Sequence, residues 1–200
     1  MKKVGVLISG RGSNLQALID AQAALGAYRI DRVISNIEGA FGLERARAAG
    51  IDALTIPHKG KQREAFEREL DAALQGCEII ALAGFMRVLT PYFVTAWAGK
   101  ILNIHPSLLP SFPGRDTHAR ALAAGVKLHG CTVHVVTEEL DSGPIIGQAA
   151  IPVLPGDTPD TLAERLLAAE HLLYPRAVAA FAGGAAASME KPLLCAWSHR

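Results

Sequence analysis

The chain reads as a doubly wound α/β protein. It should form a single Rossmann-like domain with a mostly parallel twisted sheet, helices on both faces and a partly antiparallel C-terminal extension. Three observations predict this. Short β-rich apolar runs alternate with helical patterns through the first 105 residues. A glycine turn, SGRGSN (9–14), joins the first strand to the first helix. After residue 126 the alternation gives way to two consecutive strand-like runs.

In chain order, KVGVLIS (3–9) is a buried strand, and Ser13 to Leu25 is a helix with Leu15, Leu18, Ile19 and Leu25 on one side. RIDRVIS (29–35) is the second strand. FGLERARAAG (41–50) is a helix ended by Gly50, the usual left-handed stop. ALTIP (53–57) is the third strand, 62–75 a charged amphipathic helix and EIIALAG (78–84) the fourth strand. A short helix from Pro91 to Trp97 leads to the fifth strand, GKILNIH (99–105). LHGCTVHVVT (128–137) and PIIGQAAIPV (144–153) are the consecutive strands, joined by EELDSG. A long helix from Pro159 to Phe181 should be interrupted near Pro175, because proline removes a helical hydrogen bond. Residues 1–200 are expected to form one domain, with little pattern in the tail from about 183.

Composition narrows the function classes. Half of the 200 residues are hydrophobic and 20% are charged, which argues for a packed core rather than disorder. A net charge of +1 gives no electrostatic footprint for nucleic acid. Cys77, Cys131 and Cys195 are odd in number and widely spaced, which suits a reducing compartment. The N-terminal apolar run is too short for a signal peptide, and no segment is long and apolar enough to span a membrane. A cytoplasmic protein, monomeric or homodimeric, is the expectation.

The glycine turn is the first candidate site. Ligands of such sheets bind outside the carboxyl ends of the strands, and a helix N-terminus offers unpaired N–H groups to an anion. Gly10 and Gly12 let the backbone come close, and Ser13 or Asn14 can cap the helix. Leu15 stands where a dinucleotide fingerprint needs a third glycine, and the second strand lacks a terminal acidic residue. The turn therefore favours a single phosphate over a dinucleotide, with a ligand-free turn the equal alternative.

The second candidate is ILNIHPSLLPSFPG (101–114). Asn103 and His105 are two apart on a strand and share a face, while Ile104 points into packing. Pro106 stops further pairing, so the pair sits at the carboxyl edge that also carries the glycine turn. Asp141, in the turn between the late strands, is a carboxylate that can converge with them. An amide N–H can bond a developing oxyanion, a carboxylate favours the imidazolium, and a histidine can move a proton. Each of these residues alone has an ordinary structural explanation. No strained nucleophile elbow accompanies them, which points to direct transfer of an acyl group from one substrate to another. His129, Cys131 and His134 are close in sequence, but His134 has the opposite strand parity, so a metal site is not expected.

With these residues in hand, the sequence closely resembles the folate-dependent phosphoribosylglycinamide formyltransferases of bacteria. VLISGRGSNLQALID, AFGLERARAAGI, LAGFMRVLTPYFV, LNIHPSLLPSFPG, HGCTVHVVTEELDSGPII and EHLLYP carry the resemblance, from residue 6 to about 175. NIHPSLLP marks the wider superfamily, and GSNLQALI with AFGLERA the glycinamide enzymes. The resemblance implies that Asn103 and His105 flank the formyl group of the co-substrate 10-formyltetrahydrofolate, that Asp141 favours the protonated histidine, and that no metal is needed. It implies that Gly12, Ser13 and Asn14 hold the phosphate of glycinamide ribonucleotide and that Glu170 contacts the same substrate. Arg63 would bind folate, and Met86, Arg87, Val88 and Leu89 would hold its pterin through backbone contacts. Arg11, the SFPGRDTH loop (111–118) and Ser142 depart from commoner versions of the pattern. Rival readings are a formyltetrahydrofolate hydrolase, expected to carry an N-terminal regulatory domain, and a methionyl-tRNA formyltransferase, expected to be longer with a basic C-terminal domain. A non-catalytic phosphate-ligand sensor is the third.

Overall fold

Strand β1 (Lys2–Ile8) lies near the middle of a seven-stranded sheet of order β3-β2-β1-β4-β5-β6-β7. The computed structural model describes residues 1–184; Cys195 and nearly all of the weakly patterned tail lie outside them. Strands β2 (Tyr28–Ser35), β3 (Asp52–Thr55), β4 (Ile79–Leu82) and β5 (Ile101–His105) run parallel to β1. The last two, β6 (Leu128–Val135) and β7 (Ile145–Pro152), add in antiparallel steps. The predicted class and its antiparallel extension are therefore observed, with strand ends displaced by one or two residues.

The chain winds from β1 through β2 to β3, then crosses to β4 on the other side of β1. The loops after β1 and β4 consequently diverge at their carboxyl ends, where open sheets of this kind place their ligands. One face of the sheet packs against α1 (Ser13–Leu25), α2 (Phe41–Ala48) and α6 (Pro159–Ala182), through residues such as Leu15, Leu18, Leu43, Leu166 and Leu173. The other packs against α3 (Arg63–Ala73) and α4 (Pro91–Ala96), through Phe66, Leu70, Phe93 and the adjoining Trp97. A short helix, α5 (Thr117–Ala123), follows β5. Sequence periodicity did not resolve it, because only Thr117 and Ala121 among its seven residues are buried.

Two expectations need correction. The long helix is not interrupted at Pro175: α6 runs unbroken through it. The cost of a helical proline is on the order of 3 kcal/mol, and the inward stripe of Leu162, Leu166, Leu173, Tyr174, Ala177 and Val178 opposes it. Nor does a side chain cap α1. Gly12 occupies the N-cap position at φ 70°, and the Asn14 amide is used elsewhere. A Cβ at Gly12 would lie 2.7 Å from Gly42 Cα, while the Gly42 N–H donates to the Gly10 carbonyl at 3.1 Å. The glycine turn is thus pressed against the start of α2, so the SGRGSN and AFGLERA segments form one packed unit.

Candidate active site

A crevice of about 580 Å³ opens at the carboxyl edge of the sheet. Asn103, His105, Asp141, Asn14 and Glu170 all line it, as does the 86–89 segment. Asn103 and His105 point the same way from β5, as their spacing requires, while Leu102 and Ile104 enter the core on the α6 side. In the antiparallel pair, His134 of β6 stands opposite Asn103 and Thr132 opposite His105. Directly opposed residues share a face, so His134 belongs to the same wall. The parity that excluded His134 from a cluster with His129 and Cys131 is what places it here.

The β6–β7 connection folds over this wall and brings in Asp141, whose side chain is 8% exposed. Its carboxylate lies 3.5 Å from His105 Nδ1 and 3.7 Å from His134 Nε2, and it accepts the Gly114 N–H at 2.8 Å. His105 Nε2 lies 3.1 Å from the Phe112 carbonyl. Both nitrogens of His105 therefore face oxygen atoms. His134 Nδ1 is 3.1 Å from the Val135 carbonyl, and its Nε2 is 3.2 Å from Asn103 Nδ2. Burial pushes the His134 pKa down, partly offset by the Val135 carbonyl and by Asp141. A neutral His134 that donates from Nδ1 accepts from the Asn103 amide and fixes its orientation. Phe112, Asp116 and Asp141 all adopt left-handed backbone conformations, with φ between 52° and 56°. These three non-glycine exceptions flank one crevice, a clustering typical of functional sites.

The opposite wall comes from α1 and α6. Asn14 Nδ2 donates to Glu170 Oε2 at 2.6 Å, in a pair buried on both sides. Asn14 Oδ1 is buried without a partner. Burial pushes the Glu170 pKa up, and the Asn14 bond only partly opposes this. One turn along α6, the Tyr174 hydroxyl reaches the carbonyls of Leu82 at 2.9 Å and Leu102 at 3.2 Å, which ties the helix to β4 and β5. This wall presents acceptors short of hydrogens, the complement of an amine or amide.

The remaining predicted residues form the rim. Gly12 and Ser13 lie where α1 begins, next to Asn14. Met86 and Val88 are exposed on the segment between β4 and α4. The Met86 N–H donates to Ser9 Oγ at 2.9 Å, and the Val88 carbonyl accepts from Arg63 Nη2 at 2.7 Å. Arg63 is exposed at the start of α3, and the Arg87 guanidinium sits 5.4 Å from the Phe66 ring centre. Two more histidines, His118 and the His129 weighed above as a metal ligand, pair beside this site. His118 lines the crevice, and its Nδ1 lies 3.1 Å from His129 Nε2. Burial and the charge of the neighbouring His118 push the His129 pKa down to about 4. The described residues contain no group of three side chains placed to hold a metal ion, and no helix long and apolar enough to cross a membrane.

Against known proteins, residues 2–178 match the formyl transferase family. The chain is 50% identical to phosphoribosylglycinamide formyltransferase of Escherichia coli (strain K12), over 90% of this chain and 86% of that protein. It is 54% identical to the trifunctional purine biosynthetic protein adenosine-3 of Drosophila pseudoobscura pseudoobscura, over 92% of this chain but only 14% of that much longer protein. The crystal structure of glycinamide ribonucleotide transformylase 1 from Symbiobacterium toebii superposes with a TM-score of 0.88 at 50% identity, covering 92% of this chain and 89% of that one. The chain belongs to the formyl transferase family.

Proposed function

We propose that this chain transfers the formyl group of 10-formyltetrahydrofolate to the amine of glycinamide ribonucleotide, a step of purine synthesis. The convergence of Asn103, His105 and Asp141 opposite Asn14 and Glu170 supports this most directly. One wall carries the groups an acyl-transfer oxyanion needs, and the other carries acceptors for the ribonucleotide's N–H groups.

The ribonucleotide phosphate binds at the start of α1, over the backbone N–H groups of residues 12–14. Its glycinamide end reaches Asn14 and Glu170. The folate enters from the 86–89 side, with Arg63 at the rim. The uncharged amine attacks the formyl carbon, a C–N bond forms, and the carbonyl oxygen becomes an oxyanion. The Asn103 amide and protonated His105 stabilise that oxyanion, with the charge on His105 sustained by Asp141. The attacking nitrogen then loses a proton, the bond from the formyl carbon to the folate nitrogen breaks, and that nitrogen gains a proton. In the present conformation His105 Nε2 is engaged by Phe112, so the loop around 111–116 must release it when substrate binds.

Consumption of 10-formyltetrahydrofolate, measured with and without glycinamide ribonucleotide, tests this reading. Turnover is expected only with the ribonucleotide. Equal turnover without it means that water is the acceptor, and binding of both ligands without turnover means a sensor.

A further inference from the structure

We propose that Glu67, which does not line the crevice, is a positioning residue for the folate side of the site and acts through the segment between β4 and α4. This rests on the folate assignment made above.

Glu67 lies on α3, whose neighbours Glu64, Arg68 and Glu69 are exposed, yet Glu67 itself is only 2% exposed. A buried carboxylate is costly unless its oxygens are satisfied. Both oxygens go to one residue: Oε1 accepts the Thr90 N–H at 2.9 Å, and Oε2 accepts the Thr90 hydroxyl in a short contact. Thr90 is the N-cap residue of α4, where a hydroxyl ordinarily accepts an N–H of the helix's first turn. Here it makes no such bond and donates outward to Glu67. The contact therefore anchors the end of the segment rather than capping the helix.

The rest of the segment is held in the same manner. Ser9 takes the Met86 N–H, and Arg63 takes the Val88 carbonyl. Residues 86, 88 and 90 are thus gripped at alternate positions. Arg63 and Glu67 are one helical turn apart on the same face of α3, so this helix supplies two of the three grips. The ribonucleotide wall, on α1 and α6, uses neither Arg63 nor Glu67; only Ser9, in the turn before α1, lies near it. Loosening Glu67 should therefore affect one substrate and spare the other.

Thr90→Val keeps the N–H bond and removes the hydroxyl, Thr90→Ser keeps both, and Glu67→Ala removes the acceptor. Steady-state KM for each substrate is measured, with amide hydrogen exchange of residues 86–90 in the ligand-free protein. Thr90→Val and Glu67→Ala should raise KM for the formyl folate about tenfold, the scale for losing a hydrogen bond to a charged group. They should leave KM for the ribonucleotide unchanged and speed exchange at position 90. Thr90→Ser should match the parent. Equal rises in both KM values, or faster exchange with an unchanged folate KM, would overturn the positioning role. Absence of turnover in the parent would instead overturn the functional reading. Should Glu67→Ala fail to fold, Thr90→Val against Thr90→Ser decides the matter.

Discussion

Two buried carboxylates face each other across the crevice in opposite surroundings. Asp141 stands among donors: the Gly114 N–H at 2.8 Å and His105 Nδ1 at 3.5 Å. Glu170 has one amide hydrogen from Asn14, and burial pushes its pKa up. The first environment supplies the carboxylate with hydrogens. The second leaves acceptors under-supplied, a state that an incoming N–H donor relieves. The contrast teaches that the hydrogen bonding of the β5–β6 wall is complete as folded, including the Phe112 contact that the proposed reaction must break, whereas that of the α1–α6 wall is left incomplete.

The largest effects should come from breaking the complete wall. His105→Ala and Asn103→Ala should each lower kcat by a factor on the order of a hundred or more, the usual loss for one oxyanion donor, with the fold intact by circular dichroism. Asp141→Asn should also lower kcat, since in the proposed mechanism its charge sustains the His105 imidazolium. Near-normal turnover in any of the three would remove that residue from the chemistry.

A smaller effect, of a different kind, is expected on the incomplete wall. Glu170→Gln should raise KM for the ribonucleotide more than KM for the folate. It should also stabilise the free protein, and the sign follows from the raised pKa. A carboxylate whose pKa is higher folded than unfolded gives its full stability below the unfolded value, and that stability is lost as pH rises through the folded value. Melting curves of parent and variant should therefore coincide at low pH and separate near neutrality, with the variant higher. A variant less stable at neutral pH would mean that the Asn14–Glu170 pair is structural rather than waiting for a ligand.

The phosphate end gives a milder test. Gly12→Val is a poor probe, because its side chain meets Gly42 whether or not a ligand is present. Ser13→Asp adds a negative charge without that clash, and should raise the ribonucleotide KM about tenfold while sparing the folate KM. The smallest effect concerns a third carboxylate, Asp157, beyond both walls. Its short ion pair with Arg165 holds its pKa down to about 2. A lowered pKa gives stability that is present above the unfolded value and lost as pH falls through about 2. Asp157→Asn should lower the melting temperature at pH 7 by about 2–4 °C, the equivalent of ~1 kcal/mol in a chain of this size. The difference should vanish in strong acid, and kinetics should not change.

How much of this was legible in the sequence varies with the range of the contacts. Asn103 and His105 were readable because side-chain parity along a strand is local, and Pro106 marks where the strand ends. The glycine turn was readable because a left-handed backbone at Gly12 is a property of that residue. Glu170 and the 86–89 segment came from family resemblance alone, since neither periodicity nor charge distinguishes them from an ordinary helix charge or loop. His134 is not legible as a site residue, because its partner Asn103 lies across the ladder rather than near it along β6.

By itself, the sequence determined the alternation of strands and helices, the parallel sheet that follows from it, and the edge at which the Asn–His pair and the glycine turn would meet. Backbone stereochemistry and apolar periodicity act over a few residues, so they are written where they act. Only the tertiary structure decided that Asp141 would lie between two histidines, that Asn14 would find Glu170, and that Glu67 would turn inward to Thr90. It also decided that α6 would run through Pro175. Those outcomes depend on strand register and helix docking, which sum many small packing terms over residues far apart in the chain, and no short window of sequence contains that sum.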